Sequence, residues 1–158
     1  MFVASLILII STALLIFYFQ VTCQSILRRK FDQEYAESIV NANRLEFPAV
    51  QKAIEQLDEP VDYARLRMTL RCDYLALTYL LRNAGNLKQS YSRDELFLML
   101  YFRATLASLR IRHVFRLKEK SSVLKLASVL EYFANVVGQR VNRVRFGNLT
   151  PTDYLLSL

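Results

Sequence analysis

The chain has 158 residues, 53% of them hydrophobic, a net charge of +7, three Gly, three Pro, two Cys and one His. That hydrophobic content excludes a disordered chain, two cysteines make no disulfide framework, and a single His113 without a CxxC or HxxxH pair leaves no zinc site. So few Gly and Pro favour long helices with short connections over a sheet with many turns.

The first element is an apolar run. From Phe2 to Phe19 every residue is apolar except Ser5, Ser11 and Thr12, and no residue before Arg28 is charged. A bilayer core takes about 20 apolar residues of helix, so residues 1–27 read as a transmembrane anchor. Phe17, Tyr18 and Phe19 form an expected interfacial aromatic cluster. Arg28, Arg29 and Lys30 follow as the basic flank, and the positive-inside rule then puts the N-terminus outside and the rest of the chain in the cytoplasm of a single-pass cell-membrane protein. A cleaved signal peptide fits poorly, because the basic n-region and a small-x-small cleavage site are missing. Gln20-Val21-Thr22 before Cys23 is a poor lipobox. Cys23 has a juxtamembrane position compatible with acylation, but a lone cysteine there is also an ordinary apolar filler.

Phe31, Tyr35, Ile39 and Ala42 recur at helical spacing, and no Gly or Pro interrupts before Pro48. The expectation is therefore one helix from Phe2 to about Leu45, leaving the membrane and entering the cytoplasmic domain; the alternative is a break near Arg28 that leaves the domain on a hinge. Pro48 suits the first turn of a short helix over Pro48–Leu57, ended by Asp58-Glu59-Pro60. Asp62 caps the next helix, which runs to Asn83. Tyr63, Leu66, Leu70, Tyr74, Leu77 and Leu81 form its apolar stripe, and Leu75 and Tyr79 widen it. Residues 84–91, with Gly85-Asn86, are the clearest loop.

Ser92-Arg93-Asp94-Glu95 is a capping box. Its helix, reaching Arg116 or Lys118, opens with seven consecutive apolar residues, Leu96 to Phe102. Seven are too few to span a bilayer, and a helix apolar all round is expected at the centre of a bundle. Ser121-Ser122 caps the last helix, which carries a stripe from Leu126 to Val144 and ends at Gly147. Residues 148–158 form an apolar tail, and Asn148-Leu149-Thr150 matches a glycosylation sequon by pattern alone. The expected fold is all-α: a transmembrane helix (1–27) continuing into a cytoplasmic bundle (28–147) of four long helices and one short one, then the tail (148–158).

Charge is unevenly spread. Arg28 to Glu95 holds 11 basic and 11 acidic residues, whereas Arg103 to Arg145 holds 10 basic residues against Glu119 and Glu131. Arg110, Arg112, His113, Arg116, Lys118 and Lys120 form one cluster, with Lys125 across the turn; Arg140, Arg143 and Arg145 form another. Antiparallel neighbours put the two clusters at opposite ends. Basic residues in the last turns of helices complement the macrodipole, which accounts for their positions but not for the scarcity of acids. Anionic lipid headgroups or an acidic partner protein are the candidate contacts. Nucleic acid is not favoured, since no recognition motif or aromatic platform accompanies the charges.

No phosphate loop, nucleophile elbow or metal-ligand spacing is present, and Cys72, Asp73 and His113 are the best available reactive set. A single carboxylate with no second one spaced to work with it reads as a structural ion pair. The sequence thus leads to the expectation of a non-enzymatic, cofactor-free interaction or scaffold protein, an accessory subunit of a membrane-associated complex. The alternative is an anionic-lipid-binding domain.

Overall fold

In the computed structural model, described over residues 2–31, 33–56, 62–83, 90–115 and 120–147, the chain is all-helical. It forms α1 (Phe2–Leu27), α2 (Ala36–Asn43), α3 (Phe47–Gln56), α4 (Tyr63–Asn83), α5 (Arg93–Val114) and α6 (Lys120–Gly147). The expected turn at Asp58-Glu59-Pro60, most of the loop holding Gly85-Asn86, the positions Arg116 and Lys118, the sequon and the tail 148–158 lie outside the described residues. So do the side chains of Tyr63, Arg145 and Phe146.

The apolar helix does not run on to Leu45, which corrects the continuous helix expected from the spacing. α1 ends at Leu27, where the Arg29 N–H donates to the Ile26 carbonyl at 3.1 Å and tightens the last turn. Three forces redirect the chain. Arg28, Arg29 and Lys30 would crowd three cations into one turn, and Arg29 instead reaches Asp94 at 2.5 Å. Phe31 packs on Tyr132 with ring centroids 5.2 Å apart. The buried Asn135 of α6 accepts from the N–H groups of Tyr35 (2.7 Å) and Ala36 (2.9 Å), capping α2 from a distant helix. α2 then stops at Arg44, whose φ of 52° is left-handed, a common helix-terminating geometry.

The count of four long helices and one short one is also corrected. α2 and α3 are short, at 8 and 10 residues, and four helices of 21 residues or more remain only when α1 is included.

The central element is α6, not α5. Val123, Leu126, Ala127, Val129, Leu130, Phe133, Ala134 and Val137 are all buried, an arc wide enough to meet α2, α3, α4 and α5, with α1 touching its edge. α5 buries Leu98, Tyr101, Phe102 and Leu109 but leaves Leu96, Phe97 and Leu100 exposed. Its apolar run supplies one inner face and one outer face, which a one-dimensional run cannot distinguish. Tyr74 of α4 stacks on Phe102 of α5 at 4.3 Å and 5°, joining the two helices across the core.

Contacts fix the directions. Leu81 and Tyr74 of α4 meet Arg140 and Phe133 of α6, so these two helices run parallel. Glu95 near the start of α5 also meets Arg140, while Ser108 and Arg112 near its end line a cleft with Ser122 and Lys125 at the start of α6. α5 therefore runs antiparallel to both.

Candidate interaction surfaces

α1 has two unlike parts. Val3–Leu27 is long and apolar enough to cross a membrane, and from Val3 to Tyr18 every residue is exposed. The last turns instead join the helical body. Cys23 and Ile26 are buried, and Phe19 sits between Phe97 and Tyr101 with ring centroids 6.2 Å from each. The Cys23 thiol points at the Phe97 carbonyl, Sγ to O 3.9 Å. The expected aromatic cluster is thereby divided: Phe17 and Tyr18 face outward, and Phe19 is part of the contact with α5.

α1 and α5 run antiparallel. Ile16 and Gln20 line a cleft with Ser108 and Arg112, Cys23 lies by Phe97, and Arg29 reaches Asp94. The exposed apolar half of α1 thus projects from the end of the body formed by the last turns of α5 and the first turns of α6. Arg110, Arg112, His113, Lys120 and Lys125 all belong to that end, and Arg112 and Lys125 line the same cleft as Ile16. Ile111, Val114 and Phe115 are exposed there, at 58%, 72% and 69%.

Arg28, Arg29 and Lys30 lie at the other end of the α1–α5 contact. From Ile16 to Leu27, the last residue of α1, the helix rises about 16 Å, and the three cations follow it. Their surroundings are balanced in charge: Asp94 pairs with Arg29, and Glu34 and Glu131 line the same cleft as the three cations. Desolvation in that cleft, and then the charge of Glu34, raise the Glu131 carboxyl above its ordinary value.

The second basic cluster is divided. Arg140 is turned inward, its side chain 15% exposed. Its Nη2 meets Glu95 Oε1 at 2.6 Å and its Nη1 donates to the Leu81 carbonyl at 2.5 Å. Glu95 is at the same time the second half of the predicted capping box: its Oε2 accepts from the Ser92 N–H at 3.0 Å while its own N–H donates to Ser92 Oγ at 3.2 Å. Arg140 is therefore a clamp on α4 and α5. Arg143 is exposed, beside Gln33, Tyr35 and Asn142.

The reactive trio is not brought together. Cys72 is exposed on the outside of α4, and His113 is at the end of α5. Asp73 is buried, and its Oδ2 accepts from the N–H groups of Glu46 (2.9 Å) and Phe47 (2.7 Å), capping α3. Burial raises the Asp73 carboxyl above its ordinary value, and the two backbone hydrogen bonds pull it partly back. Backbone donors stand in place of the ion pair expected for it. Among the described residues no three His, Cys, Asp or Glu side chains stand where they could hold a metal ion.

One surface escaped the sequence reading. Leu75 and Tyr79 do not widen the buried stripe of α4; with Met68 and Cys72 they form a second stripe on the opposite side, exposed to solvent. The signal was available, because 68, 72, 75 and 79 recur at helical spacing about 180° from Leu70 and Leu77.

No protein-family model, curated protein or solved structure matches the chain.

Proposed function

We propose that the protein is a single-pass membrane-anchored interaction subunit, with a helical bundle held in a fixed pose on the cytoplasmic side of a cell membrane. The observation that carries this reading is the division of α1 into an exposed apolar part and a part packed into the body through Phe19, Cys23 and Ile26. A free tether would leave the domain to tumble, whereas a packed one orients every other surface relative to the bilayer. The cytoplasmic side follows from the basic residues, all of which come after the apolar run. Purification of the full chain in mild detergent tests the reading. The expected result is a protein partner in fixed stoichiometry; a monodisperse monomer that brings nothing with it refutes it.

A second reading, an anionic-lipid-binding domain, has its own observation in favour. The basic end of α5 and α6 is the end from which the apolar part of α1 leaves the body. In that pose Arg110, Lys120 and Lys125 reach the headgroups, each contributing about 1 kcal/mol on an anionic surface, and Ile111, Val114 and Phe115 meet the acyl boundary. Hydrogen exchange of the full chain in nanodiscs distinguishes it. Residues 109–115 should exchange more slowly in anionic than in neutral lipid, and Arg110→Glu with Lys125→Glu should abolish the difference. Equal exchange in both lipids excludes this second reading.

A further inference from the structure

Neither reading above uses the outward face of α4. Met68, Cys72, Leu75 and Tyr79 follow one another at i, i+4, i+7 and i+11, and Met68, Leu75 and Tyr79 are 69%, 55% and 69% exposed. They span twelve residues, about 16 Å of helix. Single exposed apolar side chains are ordinary on a protein surface, but four in a row along one helix are not. Among the described residues the charges along one edge are all basic, while along the other Arg65 shares a cleft with Glu46 and Asp62. Arg71 and Arg82 lie along one edge and Arg65 along the other, and Arg103 of α5 interacts with Tyr74 below the first edge. The only acid on α4 is Asp73, which is buried on the opposite side.

We infer that this face docks an amphipathic helix of a partner protein, apolar along one side and edged with Asp or Glu. The inference deepens the interaction reading and rests on it. Length and spacing fit: three turns of exposed apolar residues are what helix-on-helix recognition uses. Charge selects the occupant, because Arg-edged surfaces recognise carboxylates through paired, geometrically specific hydrogen bonds. A second copy of the chain is disfavoured, since a two-fold antiparallel pairing lays each edge of the stripe along the same edge of the other copy and so sets the Arg71 and Arg82 edge against itself. A lipid surface is disfavoured by direction. α4 runs parallel to α6 and antiparallel to α5, and α1 is also antiparallel to α5. The stripe therefore extends along α1, and a bilayer crossed by α1 meets the end of α4 and not its length.

Cys72 is a built-in reporter, because it lies in the middle of the stripe while Cys23, the other thiol, is fully buried. The full chain in neutral-lipid nanodiscs is treated with a maleimide, with and without a synthetic amphipathic peptide carrying Leu at the matching spacing and Glu at the edges. The control peptide has Lys in place of Glu. The Glu peptide should slow Cys72 alkylation about tenfold at saturation and bind at least tenfold more tightly than the Lys peptide. Arg71→Glu with Arg82→Glu should erase that preference, and Leu75→Lys should abolish binding of both; circular dichroism confirms that each variant is folded. The inference is overturned by an alkylation rate that the Glu peptide leaves unchanged, or by equal binding of the two peptides. It is also overturned if Cys72 is already protected and is released on deletion of residues 148–158, or if protection rises with the number of chains per nanodisc. A protein that co-purifies equally with wild type and Leu75→Lys keeps the interaction reading and removes this surface from it. A footprint at Cys72 with no co-purifying protein keeps the surface and removes the reading.

Discussion

Gly138 of α6 lies directly under Tyr35: a methyl group built on Gly138 would stand 2.1 Å from the Tyr35 β-carbon and 2.7 Å from its γ-carbon. The β-carbon is fixed to the backbone, so no rotation of Tyr35 relieves the clash. The Gly138→Ala chain should be destabilised by about 1–3 kcal/mol from overpacking, less about 1 kcal/mol from the better helix propensity of alanine. Because Tyr35 leads into α2, the damage should be local. Amide exchange over residues 36–43 should accelerate more than exchange over α5, and equal acceleration in both helices would contradict this account.

The Arg140–Glu95 pair predicts a different pattern. Both side chains are largely buried, and the two guanidinium nitrogens serve two helices at once. Removing one partner leaves a buried charge unpaired, which costs about 3–5 kcal/mol. Arg140→Ala and Glu95→Ala should each show this loss in denaturant titrations of the detergent-solubilised chain. Arg140→Met combined with Glu95→Gln should lose less than either alanine variant, because no charge is then stranded and the introduced glutamine side chain can still accept from the Ser92 N–H. Arg140→Lys should not restore stability, since a single ammonium cannot reach both Glu95 and the Leu81 carbonyl in the fork geometry of arginine.

What could be read from the sequence was local. The capping box at Ser92 and Glu95, the Asp62 cap, whose Oδ1 accepts from the Ala64 N–H at 3.0 Å, and the buried stripe of α4 each depend on residues a few positions apart. The break after Leu27 has one local mark, the cation run Arg28-Arg29-Lys30, but the new direction of the chain depends on Asn135, a hundred residues away. The choice of central helix depended on seeing that α6 offers small residues, Ala127, Ala134 and Gly138, where neighbours approach closely, while the longer apolar run of α5 faces two ways. The basic clusters were recognised as two, but only three-dimensional contacts separate Arg140, which is structural, from Arg110 and Lys125, which face outward or line a cleft.

Asp73 gives a pH-dependent prediction. Its folded carboxyl is raised above the unfolded value, so the native state holds a proton more tightly than the unfolded state does. The contribution of Asp73 to stability therefore decreases as pH rises from the unfolded value of about 3.9 through the raised folded value, and is constant above it. Asp73→Asn keeps an acceptor for the Glu46 and Phe47 N–H groups and does not titrate. Relative to this variant, wild type should gain stability when the pH is lowered from 7 to 4. Asp73→Ala should be worse than Asp73→Asn at both values, by about 1–3 kcal/mol for each buried N–H left without an acceptor. Paired denaturant titrations at the two pH values measure both effects, and a wild-type advantage that grows with rising pH would refute the sign.

The boundary between anchor and domain can be tested by truncation. A cut before Arg28, the obvious place on the basis of charge, removes Phe19, Cys23, Ile26 and Leu27 from their seats on α5 and α6. Burial of a large apolar side chain contributes about 1.5–3 kcal/mol, so the loss of Phe19 and Ile26 alone amounts to a large fraction of the stability of a small domain. The same cut exposes Phe97 and Tyr101, a new apolar surface prone to association. A fragment beginning at Ile16 keeps those contacts and omits the most exposed part of the apolar run. The Ile16 fragment should therefore unfold at a higher denaturant concentration than the Arg28 fragment in the same mild detergent, with a larger m-value because more surface is buried in its native state. Phe19→Ala in the longer fragment should remove part of the difference. Equal midpoints for the two fragments would mean that residues 16–27 contribute nothing to the folded body, and the fixed pose that the interaction reading depends on would fall with them.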